Sequence, residues 1–256
     1  MRLSPCIEML FREDDLPTRL QKVKDLGYEG FEFWGWQNKD IDELAAAASE
    51  LGLSVVALCT LFVSLVDASQ RDAYVDGLKQ SIEVAKKLGC TTLISQTGAE
   101  LPDVSREEQG QSLVDGLKAC APILEAEGIT LVVEPLNILV NHKGYFLSRS
   151  PEAFDLIRRV DSPNVKILYD VYHQQITEGH LIPTIRENID LIGHFHIADN
   201  PGRHEPGTGE INYQNVLQAI KDTGYEGWVG LEYRPSEGKG SQKSLEEVLA
   251  LVDSLS

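Results

Sequence analysis

Eight short apolar runs, each followed by a longer amphipathic stretch, predict an α/β protein built as a single (β/α)8 barrel. The 256 residues allow 32 per cycle, and a βαβ unit needs about 30. A glycine closes one helical pattern after another, and no Gly-rich nucleotide loop follows the first strand. Both features favour a closed barrel over an open doubly wound sheet.

Strands are predicted at Leu3–Glu8, Gly30–Trp34, Ser54–Thr60, Thr92–Gln96, Thr130–Glu134, Lys166–Asp170, Gly193–Ala198 and Trp228–Glu232. Their apolar runs are continuous, as in a parallel sheet covered on both faces. Helical spacing marks Leu16–Leu26, Ile41–Leu51, Ala73–Leu88, Glu107–Glu127, Glu152–Val160, Ile182–Ile189, Tyr213–Thr223 and Leu245–Ser254. Gly27, Gly52, Gly89, Gly128 and Gly224 each end a helical pattern just before a strand, where a left-handed backbone turn favours glycine. Two copies of Gly-Tyr-Glu-Gly, Gly27–Gly30 and Gly224–Gly227, lead into strands that carry a glutamate. No linker or low-complexity segment interrupts the pattern, so residues 1–256 are read as one domain.

Composition narrows the function classes. Hydrophobic residues make up 42% and charged residues 25%, as in ordinary globular proteins. Lys plus Arg is 23 against 40 Asp plus Glu, a net charge of −17. Such a surface repels phosphate backbones and anionic membranes, and no basic run offsets it, so neither nucleic acid nor membrane is an expected partner. No apolar run reaches the roughly 18–20 residues of a membrane span, and the first residues lack a secretory apolar core. Cys6, Cys59, Cys90 and Cys120 are widely spaced with no C-x-x-C pair. They read as reduced thiols, and a cytoplasmic location is expected.

In a barrel of this kind the active site lies at the C-terminal ends of the strands. The last polar residues of strands five to eight are Glu134, Asp170, His196 and Glu232, at gaps of 36, 26 and 36 residues. Three carboxylates and an imidazole meeting in one mouth repel unless a cation joins them. This donor set suits one divalent ion, Mn2+ or Mg2+ first, with Co2+ or Zn2+ as competitors. His173 is expected to open the loop after strand six, and Arg203 lies in DNPGRHEPGTGE, an ordered turn over the mouth. Glu8 and Glu32 also end strands and read as barrel-interior or rim carboxylates. Trp34 and Trp36 read as an apolar wall at the mouth or as packing beneath a loop. His142, His180 and His204 read as exposed loop residues, and Lys143 has no assigned place.

A metal flanked by Glu134 and Glu232 can chelate adjacent hydroxyl and carbonyl oxygens and so acidify the neighbouring C–H. One carboxylate then removes the proton, and the other or the same one returns it. Return to the neighbouring carbon isomerises the substrate, whereas return to the same carbon from the opposite side epimerises it.

The residues that carry this chemistry resemble those of the xylose isomerase-like TIM barrels, in the hydroxypyruvate isomerase and ketose 3-epimerase branch. The resemblance covers nearly the whole chain. It is strongest in Val133–Asn137 with Gly144–Phe146, Tyr169–His173, Gly193–Asp199 with Pro201–Arg203, Pro206–Tyr213 and Leu231–Tyr233. It implies a divalent metal held by Glu134, Asp170, His196 and Glu232, with Glu134 and Glu232 as the catalytic pair and His173 and Arg203 on substrate oxygens. The implied activity is a metal-dependent isomerisation of a small α-hydroxy aldehyde or ketone, hydroxypyruvate and tartronate semialdehyde being favoured. The alternative is a ketose 3-epimerase of the D-tagatose, D-psicose or L-ribulose type. Homo-oligomers are common in the family.

One stretch departs from the pattern. Residues 138–143 read ILVNHK, not the Thr-Arg-Asp-type sequence of hydroxypyruvate isomerases. Either His142 or Lys143 replaces the missing arginine as a carboxylate grip, or the substrate is an uncharged keto-sugar. The related endonuclease IV type needs histidines at early strand ends, yet no histidine precedes His142, and its Asp-x-His reads Gly202-Arg203-His204 here. A non-catalytic barrel would show a damaged ligand set, and this one is intact.

Overall fold

Runs of four to six residues form the strands β1 (Arg2–Pro5), β2 (Gly30–Phe33), β3 (Ser54–Cys59), β4 (Thr92–Ser95), β5 (Thr130–Val133), β6 (Val165–Asp170), β7 (Ile192–Ile197) and β8 (Trp228–Leu231). Between and after them lie α1 (Leu16–Asp25), α2 (Ile41–Leu51), α3 (Arg71–Leu88), α4 (Arg106–Glu127), α5 (Ser150–Val160), α6 (Val171–Thr177), α7 (Leu181–Asn188), α8 (Tyr213–Asp222) and α9 (Ser241–Asp253). These elements belong to a computed structural model, which describes residues 1–255.

Local chemistry sets the helix ends. Asp15 and Asp40 cap α1 and α2 by accepting from Thr18 N and Glu43 N. Ser105 and Glu108 form a reciprocal capping box at the start of α4. Gly52, Gly89 and Gly128 end α2, α3 and α4 at φ of 61°, 63° and 65°, a conformation that costs glycine nothing.

All strand pairs are parallel, in the order β1-β8-β7-β6-β5-β4-β3-β2. The ring closes where Cys6, just past β1, bridges Glu32 on β2, with Ile7 N donating to Glu32 O at 3.0 Å. Outward-facing Phe31, Phe33, Leu131, Val133, Ile167, Tyr169, Phe195 and Leu231 pack with the helices in one continuous core. A smaller cluster of Val56, Ala57, Ile94, Val132 and Leu168 comes from β3 to β6.

The barrel, its eight strands and their alternation with helices match the sequence expectation. The boundaries differ in a consistent way. β2, β3, β4, β5 and β8 each stop one residue earlier than predicted, so that Glu134 and Glu232 are the first residues beyond their strands. β1 stops at Pro5, and Glu8 turns outward to pair with Lys39. His173 does not open a loop. It sits in α6, which starts directly off β6 because Asp170 ends the strand and caps the helix, accepting from Tyr172 N at 2.8 Å and His173 N at 3.2 Å. The four cysteines are free, and three of them are buried.

The α4 capping box is exposed, and Ser105 and Glu108 bond each other there, so its energy can be isolated. Ser105→Ala should cost about 1 kcal/mol, read as a lower denaturation midpoint with an unchanged denaturant slope.

Candidate functional site

The C-terminal mouth of the barrel opens into a cleft of about 600 Å3. Trp34, Phe62, Ile94, Leu136 and Tyr145 give it an apolar wall, and Glu134, His142, Lys143, His173, His196, Arg203 and Glu232 face it. Strand register explains the convergence. Asp170 on β6 is directly opposite His196 on β7, and His196 is opposite Gly230 on β8, two residues before Glu232.

One ligand atom each from Glu134, Asp170, His196 and Glu232 lies within 4.8 Å of the others, and all four side chains are buried. His196 Nδ1 is 3.1 Å from Glu232 Oε2 and 3.7 Å from Glu134 Oε1. Glu232 accepts from Trp34 Nε1 at 2.6 Å through Oε1 and from Arg203 through Oε2. Arg203 Nη2 also lies 3.5 Å from Asp170 Oδ2. Thus Trp34 adds an indole donor to the apolar wall, while Trp36 packs against the outer core and does not line the cleft.

Burial raises the Asp170 carboxyl to about 7, helped by Glu232 and Glu134 and only partly opposed by Arg203 and His196. Burial would raise Glu232 as well, but Arg203 and His196 outweigh it and hold that carboxyl well below the usual range. His196 shows the converse balance: burial disfavours its charge, yet Glu32 and Glu232 drive its pKa well above the ordinary value. The acidic cluster thereby holds positive charge on its one imidazole. A divalent cation fits this arrangement, because Asp170 Oδ2 and His196 Nδ1 are buried without an aligned hydrogen bond, and a cation needs such free donors.

His173 is fully buried. Its Nδ1 faces Asn137 Nδ2 at 2.6 Å and accepts from Asn137 N at 3.2 Å. The ring proton therefore sits on Nε2, which makes no aligned hydrogen bond among the described residues and lies 3.5 Å from Asp170 Oδ2 beside the cleft. Burial and Arg203 lower its pKa well below the ordinary value, so this group is a neutral donor.

Arg203 is held by its loop. Asp199 is buried and accepts from the backbone N–H groups of Asn200, Gly207 and Ile211, tying residues 199–211 into one turn over the mouth. Gly209 approaches Asn200 O so closely that a Cβ would overlap it.

The structure brings together Glu134, Asp170, His173, His196, Arg203 and Glu232, the six residues singled out from the sequence. His204 faces Arg234 O at the rim instead, and His180 does not line the cleft. His142, read as an exposed loop residue and, with Lys143, as one alternative for a carboxylate grip, lines the cleft with Lys143 because residues 137–144 fold back over the mouth. Sequence reasoning missed the role of Glu32 and His194. Glu32 lies inside the barrel beneath His196, with His194 Nε2 3.0 Å away. Burial would raise the Glu32 carboxyl, but His196 and the His194 hydrogen bond outweigh it and hold it at about 2.

A parallel barrel with a buried cluster of acids, imidazoles and a guanidinium at its C-terminal mouth has the layout of an enzyme of the (β/α)8 class. The family model for the xylose isomerase-like TIM barrel matches residues 20–254, and the chain belongs to that family. It is 34% identical over 254 residues to the hydroxypyruvate isomerase of Escherichia coli K12, covering 92% of this chain and 94% of that one. It is 30% identical to the 2-oxo-tetronate isomerase of Pectobacterium atrosepticum, covering 90% of each. Among solved structures, an AP endonuclease, family 2, from Brucella melitensis superposes with a TM-score of 0.92 at 28% identity, covering 97% of this chain and 98% of that one.

A divalent cation bound among these groups would compete with protons for Asp170 and His196. Since the Asp170 value is raised to about 7, protonation competes as pH falls through 7, and affinity should drop about tenfold per pH unit for each proton displaced. The sign for stability follows. Asp170 favours the metal-free fold at low pH, and its contribution is lost as pH rises from the unfolded carboxylate range to about 7. Mn2+ should therefore raise the melting temperature much more at pH 8 than at pH 5.5, and a pH-independent shift would contradict the assignment.

Proposed function

We propose that this protein is a metal-dependent isomerase of small α-hydroxy carbonyl compounds, with hydroxypyruvate and tartronate semialdehyde as the leading pair. The observation that carries the reading is the buried set Glu134, Asp170, His196 and Glu232, with His173 Nε2 and Arg203 beside it. The Escherichia coli and Pectobacterium relatives support an isomerase that acts on a small substrate.

Glu134, Asp170, His196 and Glu232 would hold the ion, with Mn2+ or Mg2+ suiting the carboxylate-rich set. When bound, it supplies Lewis-acid stabilisation for negative charge on two adjacent substrate oxygens. The protein supplies the rest. The His173 Nε2–H donates to the carbonyl oxygen, and Arg203 neutralises charge beside it. Glu232 is tied by Trp34 and Arg203. Among the described residues the one ion pair of Glu134 is with His196 Nδ1, at 3.7 Å, which leaves its carboxylate the freer base. In hydroxypyruvate, Glu134 takes a proton from the hydroxymethyl carbon and the electron pair forms a carbon–carbon double bond. A proton then returns to the former carbonyl carbon while the hydroxyl proton passes to the former carbonyl oxygen, so atoms balance with no redox partner. The apolar wall limits water at the reacting carbons.

Lys143 favours an acid substrate. It lines the cleft and forms no ion pair among the described residues, so it is available for a substrate carboxylate. The ketose 3-epimerase reading uses the same proton transfer and draws support from the size of the cleft. A trinuclear endonuclease-type centre finds no support: the metal-capable groups among the described residues contain His194 and His196 as their only histidines.

Proton NMR in D2O of the Mn2+-activated enzyme tests the function, the metal being chelated before spectra are taken. Hydroxypyruvate should convert to tartronate semialdehyde, and Glu134→Gln should lose at least about 1000-fold in kcat, within the range for removing an acid–base group. Deuterium entering C3 of a neutral ketose, with no turnover of hydroxypyruvate, would move the assignment to the epimerase. In a separate assay, Lys143→Met should raise KM for hydroxypyruvate about tenfold, the loss of about 1.4 kcal/mol of charge pairing, with kcat within a factor of about three. An unchanged KM would remove Lys143 from the substrate site.

A further inference from the structure

Beneath the cleft, inside the barrel, lies a polar tier that the reaction above does not use. Glu32 on β2 is 2% exposed. Its Oε2 accepts from Ser4 Oγ at 2.8 Å and faces His194 Nε2 at 3.0 Å. Its Oε1 lies 2.8 Å from His196 Nε2. The His196 ring thus spans two tiers, with Nε2 toward Glu32 and Nδ1 toward Glu232 and Glu134.

A neutral imidazole has one N–H and one lone pair. Carboxylates face both nitrogens, so with a cation among Glu134, Asp170 and Glu232 the lone pair would be on Nδ1, the nitrogen in that cluster, and the one remaining proton on Nε2 against Glu32. Nε2–H is not aligned on Oε1 as a full hydrogen bond, so the contact acts mainly as charge against dipole. The backbone makes room for it. Gly230 is the strand partner of His196, and a Cβ there would overlap both Glu32 Oε1 and His196 Cδ2.

A purely structural role explains this tier poorly. Burying a carboxylate costs several kcal/mol before its partners offset it, and β3 to β6 supply an apolar cluster of Val56, Ile94, Val132 and Leu168 without such a group. Metal-binding histidines, in contrast, usually need a carboxylate or carbonyl on the far nitrogen to fix the tautomer.

We propose that Glu32, held by Ser4 and His194, is a positioning residue that orients His196 and fixes its Nε2–H tautomer, so that Nδ1 presents its lone pair to a divalent cation. The role rests on the metal-binding reading above.

Chelator competition with Mn2+ on the full chain tests it, comparing wild type with Glu32→Gln and Ser4→Ala. Glu32→Gln should weaken Mn2+ binding roughly 10–100-fold, the range for loss of such a partner. Ser4→Ala should weaken it in the same direction by less, and it keeps the test available if the glutamine variant does not fold. Long-range 1H–15N spectra of the Zn2+-loaded protein give a readout that a packing role would not move. They should show the wild-type His196 with its proton on Nε2 and the metal on Nδ1. Metal binding within about threefold of wild type in the folded variants, or a metal-bound Nε2 in the wild type, would overturn the proposal. A wild type that binds no divalent ion would overturn it together with the metal reading. Tight binding by both wild type and Glu32→Gln would overturn this role alone.

Discussion

Four buried carboxylates, Glu32, Glu134, Asp170 and Glu232, crowd the upper half of one narrow barrel, and their mutual repulsion is the constraint on which the rest of the site depends. Buried charges of one sign persist only when paired or hydrogen-bonded. Each carboxylate meets that demand differently. Asp170 gives one oxygen to the N-terminus of α6, Glu232 takes the Trp34 indole and Arg203, and Glu32 takes Ser4 and His194. Glu134 has none of these supports, and His196 stands between it and Glu232. The imbalance draws positive charge onto His196 and makes the mouth a place for a cation.

The supports are themselves held by the surrounding fold. Arg203 stays over the mouth because the buried Asp199 accepts three backbone N–H groups from the loop after β7. His173 keeps its free proton on Nε2 because Asn137 occupies Nδ1, and Asn137 in turn accepts from Val140 N and Asn141 N through its own side chain. Asp170 links the two levels, since Oδ1 starts the helix that bears His173 while Oδ2 lies 3.5 Å from both His173 Nε2 and Arg203 Nη2 in the acidic cluster. Loss of Asp170 would therefore disturb the helix that carries His173 and the four-donor cluster together, and Asp170→Asn would be the informative substitution because it can still accept at the helix end.

Much of this was legible in the sequence, for a physical reason. Parallel barrel strands are buried on both faces, so a polar residue at the end of an apolar run stands out, and Glu134, Asp170, His196 and Glu232 were found in that way. The glycine joints were legible because a left-handed residue ends a helix most cheaply as glycine. The interior tier was not. Glu32 and His194 sit within strands, where hydropathy cannot tell an inward polar side chain from a rim one. Their pairing also spans 162 residues of sequence. α6 was hidden because no turn residues separate it from β6; the strand's last side chain is its cap. His142 read as a loop residue and Lys143 had no place, with either one offered as a carboxylate grip, because only the fold-back of residues 137–144 takes them to the cleft.

The cleft also constrains how a substrate can be chosen. At about 600 Å3 it falls within the 300–1,000 Å3 typical of small-molecule pockets, far more than a three-carbon acid fills. Shape alone therefore cannot select such a substrate. Selection must come from polar groups whose desolvation is lost when a partner is missing, an effect worth more than a methylene's fit to an apolar wall. The polar groups are segregated accordingly: Arg203 and His173 lie at the acidic cluster, while Lys143 and His142 lie on the loop across the mouth. Two separated groups of donors suit a molecule with a reacting hydroxy-carbonyl at one end and a second polar group at the other. On the proposed function, residues 137–144, where Leu139 and Val140 are 79% and 62% exposed, would set the length of substrate between those ends, while the barrel strands hold the groups of the acidic cluster.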